Sequence, residues 1–183
     1  MDRLYFITDR KKFKRPFLDQ IKAVLDRGVR VIQIREKDLP DDELYKLVED
    51  TLEITKGYDV KIFVNSRVDV AVLLGLYGVH LPEKSLPIKA VKHKFSNLVI
   101  GKSCHTVKGA VKVQEEGADY IFFSPVFEVE GKNKPVGLEG LRELLKKVSI
   151  PVYALGGINK ANVKDVLNTG VYGIAGIRMF LED

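Results

Sequence analysis

Short apolar runs recur along this chain, and run after run turns polar or basic as it ends. Val31-Ile32-Gln33-Ile34-Arg35-Glu36-Lys37 shows the plan first. Ile62-Phe63-Val64-Asn65, Leu98-Val99-Ile100-Gly101-Lys102-Ser103-Cys104-His105 and Val152-Tyr153-Ala154-Leu155-Gly156-Gly157 repeat it. Runs of this length and composition predict strands. Between them the period changes. Phe17, Ile21, Val24 and Leu25 recur at helical spacing until Gly28 stops them, and Leu44, Leu47, Val48, Thr51 and Leu52 form a second helical stripe. That second helix opens on Asp41-Asp42-Glu43, acidic residues that suit the positive end of a helix dipole.

Continued to the end, the same reading predicts strands over 4–8, 60–64, 78–82, 98–104, 120–124, 151–155 and 170–177, besides the one ending near Lys37. The sixth, Tyr120-Ile121-Phe122-Phe123-Ser124, is apolar almost throughout, as a strand buried on both faces should be. Helical segments are predicted around Val68-Leu73, over 88–95, through Ala110-Gln114, and over 141–148 and 161–167, with a loop over 127–140. Strands alternating with about seven helices predict an α/β fold, a (β/α)8 TIM barrel spanning 1–183 as a single domain. The 183 residues fall below the roughly 200 such barrels usually need, so the last helix is expected to be truncated or missing after Met179-Phe180-Leu181. A doubly wound open sheet is the rival architecture. A missing helix would leave an apolar face between the first and seventh helices, and a homodimer is one way to cover it.

Composition narrows the classes. With 45% hydrophobic and 30% charged residues the chain reads as globular, and its one cysteine, Cys104, excludes a disulfide framework and a cysteine metal site. No apolar run approaches the roughly 18 residues of a membrane span, and no signal peptide precedes the first strand, so a cytoplasmic location is expected. The net charge of +5 has one dense source, Lys11-Lys12-Phe13-Lys14-Arg15. Without a recognition motif that run does not predict nucleic-acid binding, and it reads as a solvated loop or an anion-attracting rim.

In a barrel of parallel strands the active site lies at the carboxyl ends of the strands, which is where this chain gathers its polar groups. Gly156 and Gly157 after the seventh strand, with Gly176, Ile177 and Arg178 at the eighth, stand where barrels hold a phosphate on backbone amides. The alternative is that these glycines only make tight turns. Gln33, Arg35 and Lys37 alternate and so share one face, where three donors suit a pyrophosphate or carboxylate. Internal ion pairs with Glu36 or Asp38 are the competing explanation. Asn65, Lys102, Ser103 and His105 end other strands at the same level. His80 fits a structural or a catalytic role equally, His93 reads as surface, and Cys104 as packed. No carboxylates are evidently placed as metal ligands.

Taken in order, these motifs resemble the thiamine-phosphate synthase family and its TenI relatives. The resemblance rests on Tyr5-Phe6-Ile7-Thr8-Asp9, Gln33-Ile34-Arg35-Glu36-Lys37, Asn65-Ser66-Arg67-Val68-Asp69, Gly78-Val79-His80-Leu81, Ile100-Gly101-Lys102-Ser103, Pro125-Val126-Phe127 and Ala154-Leu155-Gly156-Gly157-Ile158. It implies a cytoplasmic protein of thiamine biosynthesis that binds small thiazole and pyrimidine phosphates. A synthase of this family joins a pyrimidine pyrophosphate to a thiazole phosphate and releases pyrophosphate with Mg²⁺. By resemblance Gln33, Arg35, Lys37 and Asn65 would hold the pyrimidine pyrophosphate, Ser103 would support them, and Gly157 with the Ile177 region would hold the thiazole phosphate. Mg²⁺ is expected only if synthase activity is retained, because Ser66 and Ser85 stand where the family has its metal aspartates. The loop after the sixth strand reads Phe127-Glu128-Val129-Glu130-Gly131-Lys132, with Lys132 or Lys134 left for the role of the family lysine, and Arg178 replaces a small serine.

Asn65-Ser66-Arg67-Val68-Asp69, Leu81-Pro82 and Gly137-Leu138-Glu139-Gly140 look closer to the TenI branch. Some TenI proteins are thiazole tautomerases, and their proton-transfer histidine aligns here with Pro125. The expectation is therefore a TenI-like protein moving a proton with Glu128, Glu130 or Lys132. A thiamine-phosphate synthase and a non-catalytic thiamine-phosphate binder are the alternatives.

Overall fold

A computed structural model describes residues 1–131 and 134–181. Eight parallel strands close into a barrel in sequence order, β1 (Leu4–Ile7), β2 (Val31–Ile34), β3 (Lys61–Asn65), β4 (Gly78–Leu81), β5 (Val99–Cys104), β6 (Tyr120–Phe123), β7 (Val152–Ala154) and β8 (Gly173–Gly176). The ring closes where Tyr5 of β1 meets Ala175 of β8. Outside lie α1 (Phe17–Asp26), α2 (Asp41–Ile54), α3 (Val68–Leu73), α4 (Ile88–Lys94), α5 (Val107–Glu115), α6 (Gly137–Leu145) and α7 (Val163–Leu167). The TIM barrel is therefore the observed architecture, and the open doubly wound sheet is not. β8 is shorter than its apolar run suggests, and α6 begins inside the stretch expected to be loop, because Gly137, at φ +69°, turns the chain into it.

The alternation of side chains along each strand sorts the core into two parts. Outward residues such as Phe6, Ile32, Val64, Ile100 and Ile121 pack beneath the helices. Inward residues Tyr5, Phe63, Tyr120, Phe122 and Tyr153 fill the barrel with interlocking rings, their centroids 4.8–6.0 Å apart. So many rings fit only because inward positions on neighbouring strands carry no side chain. A Cβ at Gly101 would overlap the Tyr120 ring, and one at Gly173 would come within 2.7 Å of Tyr153.

No eighth helix follows β8 among the described residues. A single 3₁₀ turn, Arg178–Phe180, stands there instead. It buries Phe180 against Phe6, with ring centroids 5.8 Å apart, while Phe13 stacks on Phe6 at 6.0 Å. Arg27 of the loop after α1 donates to the Phe180 carbonyl. The apolar face expected to lie open beside α1 is covered in part by these rings.

Gly101→Ala is expected to destabilise the fold by about 3 kcal/mol, since the ring it displaces has no empty volume to enter. A urea titration with an unchanged m-value and a lower midpoint would register this.

Candidate active site at the barrel mouth

At the carboxyl end of β2, Gln33 points inward and is almost wholly buried. Its Nε2 has no hydrogen-bond partner among the described residues. Burial raises the Tyr5 pKa well above its ordinary value, and the side-chain hydrogen bond with Tyr120 offsets this only in part. Arg35 stands one residue past the strand, half-buried, with its amide donating to Thr8 Oγ1 at 2.9 Å. Lys37 departs from the expected alternation, because β2 ends at Ile34 and Lys37 lies exposed in the following turn.

Glu36 and Asp38 are engaged by Thr8, Arg10 and Lys11. Glu36 is buried and accepts the Thr8 hydroxyl at 2.6 Å, the Arg10 amide at 3.1 Å and Arg10 Nη1 at 3.1 Å. Asp38 binds Arg10 through both oxygens, at 2.7 and 3.0 Å, and Lys11 at 2.8 Å. The hydrogen bonds from Arg10 and Lys11 hold its carboxyl well below the usual range. Two members of the basic run are thus tied locally, Lys11 to Asp38 and Lys12 to Asp9.

Asn65 ends β3 and donates from Nδ2 to Ser66 Oγ at 3.0 Å. Ser66 itself sits at φ +65° and is pinned there by its amide, which donates to the His80 carbonyl at 2.9 Å. A serine in this left-handed region carries strain of roughly 1 kcal/mol or more. Ser103 faces the interior of β5. Lys102, one residue earlier, faces the opposite way and donates to the Leu86 carbonyl at 3.3 Å, so it does not join the mouth. Cys104 is buried in the outer layer, and desolvation pushes its thiol up to about 12, which leaves it inert. His105 donates from Nδ1 to the Ser124 carbonyl at 2.6 Å, bracing the start of the loop after β6.

Sequence reasoning left His80 undecided and passed over Tyr5 and Tyr120. All three are buried, and they form one column: the two hydroxyls are 2.8 Å apart, Tyr120 reaches His80 Nδ1 at 3.2 Å, and His80 Nε2 lies 2.9 Å from Ser103 Oγ. His80 also stacks on Phe122 with centroids 4.0 Å apart. Burial, aided by the nearby charge of Arg35, pulls its pKa down to about 3 and keeps the ring neutral. The signal was present in the tyrosines, since a phenol in an otherwise apolar strand needs a buried partner.

Across the barrel, β7 and β8 end in the glycine turns. Gly156 and Gly157 have φ of +100° and +69°. Their missing side chains leave room for the loop after β6: a Cβ on Gly156 would lie 2.8 Å from Pro125, and one on Gly157 2.7 Å from Phe127 Cβ. That packing accounts for both glycines without a ligand. The amides of Gly157, Ile158, Ile177 and Arg178 nonetheless make no hydrogen bond among the described residues. Gly176 closes β8, and Arg178 is exposed at the start of the 3₁₀ turn. Glu128 and Glu130 are exposed on the loop after β6, and Lys132 lies outside the described residues.

The donor set does not fit a resident Mg²⁺. This hard ion takes carboxylates, carbonyls and water, whereas Ser66 and Ser85 offer hydroxyls, the latter spent on the Pro82 carbonyl at 2.6 Å. Among the described residues no three His, Cys, Asp or Glu side chains come together. No described helix is long and apolar enough to cross a membrane.

A neutral His80 has a consequence for stability. The unfolded imidazole takes a proton near 6.5 and the folded one only near 3, so stability falls as pH drops through that interval. The slope is at most about 1.4 kcal/mol per pH unit for one group. Denaturant midpoints measured from pH 7 to pH 4 should decline, and less steeply in His80→Asn.

The family model for thiamine monophosphate synthase matches residues 4–180. An Aquifex aeolicus relative is 46% identical over 184 residues, covering 100% of this chain and 99% of its own length. The thiamine-phosphate synthase of Pyrococcus furiosus is 40% identical over 175 residues, 94% of this chain and 84% of that protein. Among solved structures, a thiamine phosphate pyrophosphorylase from Pyrococcus furiosus superposes with a TM-score of 0.90 at 40% identity, covering 99% of this chain and 89% of the other.

Proposed function

The chain belongs to the thiamine monophosphate synthase family, and from that premise we propose that it is itself a thiamine-phosphate synthase, which joins a pyrimidine pyrophosphate to a thiazole phosphate with release of pyrophosphate. The observation that carries the reading is a mouth with two separate sets of anion donors. Gln33, Arg35, Asn65 and Ser103 end β2, β3 and β5, and the amides of Gly157, Ile158, Ile177 and Arg178, unbonded among the described residues, follow β7 and β8 on another arc of the closed eight-strand ring. Two phosphorylated substrates need two such places. A tautomerase needs one, together with a sheltered acid–base group.

On this reading Gln33 orients the pyrimidine, while Arg35, Lys37 and Asn65 take the pyrophosphate. Charge-assisted bonds to a leaving pyrophosphate strengthen as its negative charge develops, so these residues lower the barrier as well as bind. The amides after β7 and β8 cradle the thiazole phosphate as a backbone nest, with Arg178 at its rim. TenI-like proton transfer finds weaker support, since Glu128 and Glu130 are exposed, where water competes for any proton they carry.

Purified protein given both substrates in Mg²⁺ buffer is expected to form thiamine phosphate, scored by mass. Arg35→Ala should lower kcat/KM at least about 100-fold, a loss of roughly 2.7 kcal/mol in the transition state. If both substrates bind and no product forms, the synthase reading fails and a binder remains. Thiazole proton exchange that disappears in Glu128→Gln would instead restore the tautomerase.

A further inference from the structure

Arg35 stands where β2 has ended, and its amide bonds to a side chain, the Thr8 hydroxyl at the end of β1. Thr8 Oγ1 lies 2.9 Å from that N–H and 2.6 Å from Glu36 Oε1. An amide N–H can only donate and a hydroxyl holds one proton, so the Thr8 proton goes to the carboxylate. Glu36 follows Arg35 in the chain, and the two bonds therefore close a ring: Arg35 N–H to Thr8 Oγ1, Thr8 O–H to Glu36 Oε1, and back through the peptide. The ring is sealed on both sides. Thr8 is wholly buried and its amide donates to the Gln33 carbonyl at 2.9 Å. Glu36 is buried too, and its oxygens also accept the Arg10 amide and Arg10 Nη1, each at 3.1 Å. Arg10 is held in turn by Asp38, at 2.7 and 3.0 Å.

We propose that Thr8 and Glu36 are positioning residues for Arg35, a closed hydrogen-bond ring that fixes its peptide and thereby the place of its side chain at the barrel mouth. A backbone carbonyl as acceptor would hold the amide whatever the neighbouring side chains were. A hydroxyl makes the hold depend on two particular residues, and a carboxylate behind the hydroxyl fixes which way its proton points. Glu36 thus acts on its neighbour through the backbone while its own charge is met by Arg10. What Arg35 does to the pyrimidine pyrophosphate rests on the synthase reading; the ring does not.

A double-mutant cycle separates positioning from support of the fold, because a residue that acts through Arg35 has nothing left to act on once that side chain is gone. Thr8→Val keeps the shape and removes the hydroxyl. It is expected to lower kcat/KM about tenfold in the wild-type chain and less than about twofold beside Arg35→Ala. Thr8→Ser, which keeps the ring, should restore the wild-type value. Equal losses in both backgrounds, or no loss in either, would overturn the proposal. If Thr8→Val does not fold, Glu36→Gln, which sets an amide N–H against Thr8 or Arg10, takes its place in the cycle.

Two further readouts need no turnover. Amide hydrogen exchange at Arg35 is expected to be faster in Thr8→Val than in Thr8→Ser, and equal rates would show that the hydroxyl is not its partner. Inorganic pyrophosphate, titrated by calorimetry, carries the same cycle: Thr8→Val should weaken its binding about tenfold in the wild-type chain and less than about twofold beside Arg35→Ala. That coupling in a protein that makes no thiamine phosphate would leave the ring standing and remove the synthase. Product formation with equal losses in both backgrounds would do the reverse. A wild-type chain that neither turns over nor binds pyrophosphate would remove both.

Discussion

The packing of Tyr120 against Gly101 is the contact on which the rest of this barrel depends. Eight strands of three to six residues enclose an interior that must be filled without voids. This chain fills it with aromatic rings and deletes side chains opposite them, at Gly78, Gly101 and Gly173. Because the plug is built from tyrosines as well as phenylalanines, it carries hydroxyls into the buried interior. Those hydroxyls must bond to something. Tyr153 donates to the Asp2 carbonyl, while Tyr5 and Tyr120 bond each other and reach Ser103 through His80, so the demand for satisfied polar groups ties the packed floor to the polar mouth.

The mouth is organised by a division of labour among charges. Acidic groups close to Arg35 are engaged by Arg10, Lys11 and Thr8, in a clamp that joins the ends of β1 and β2. Arg35 and Gln33 then face the interior side. On the opposite arc, the loops after β6 and β7 pack so closely that glycine is required twice, and the same turns leave backbone amides unbonded. The tight packing comes from one geometric cause, a backbone with no Cβ turned toward its neighbour.

Ser66 keeps a left-handed backbone that strains a serine, pinned by the His80 carbonyl, and offers a hydroxyl where a carboxylate would carry charge. An uncharged hydroxyl holds a hard divalent ion less firmly than a carboxylate does.

Periodicity determined the strand and helix order, the α/β class, and the level at which Gln33, Arg35, Asn65 and Ser103 would stand, while closure of the ring against an open sheet was decided by the structure. That was legible because parallel strands in a barrel must alternate with helices and must end at one face. The family likewise followed from local motifs taken in order. Tertiary structure alone decided which strand-end residues turn inward, since one position of register sends Lys102 outside and Ser103 inside. It alone paired Glu36 and Asp38 with Arg10 and not with Arg35, a contact between residues 26 to 28 positions apart. Tyr5 and Tyr120 meet across 115 positions. No local pattern encodes that meeting, because it exists only once the barrel has closed.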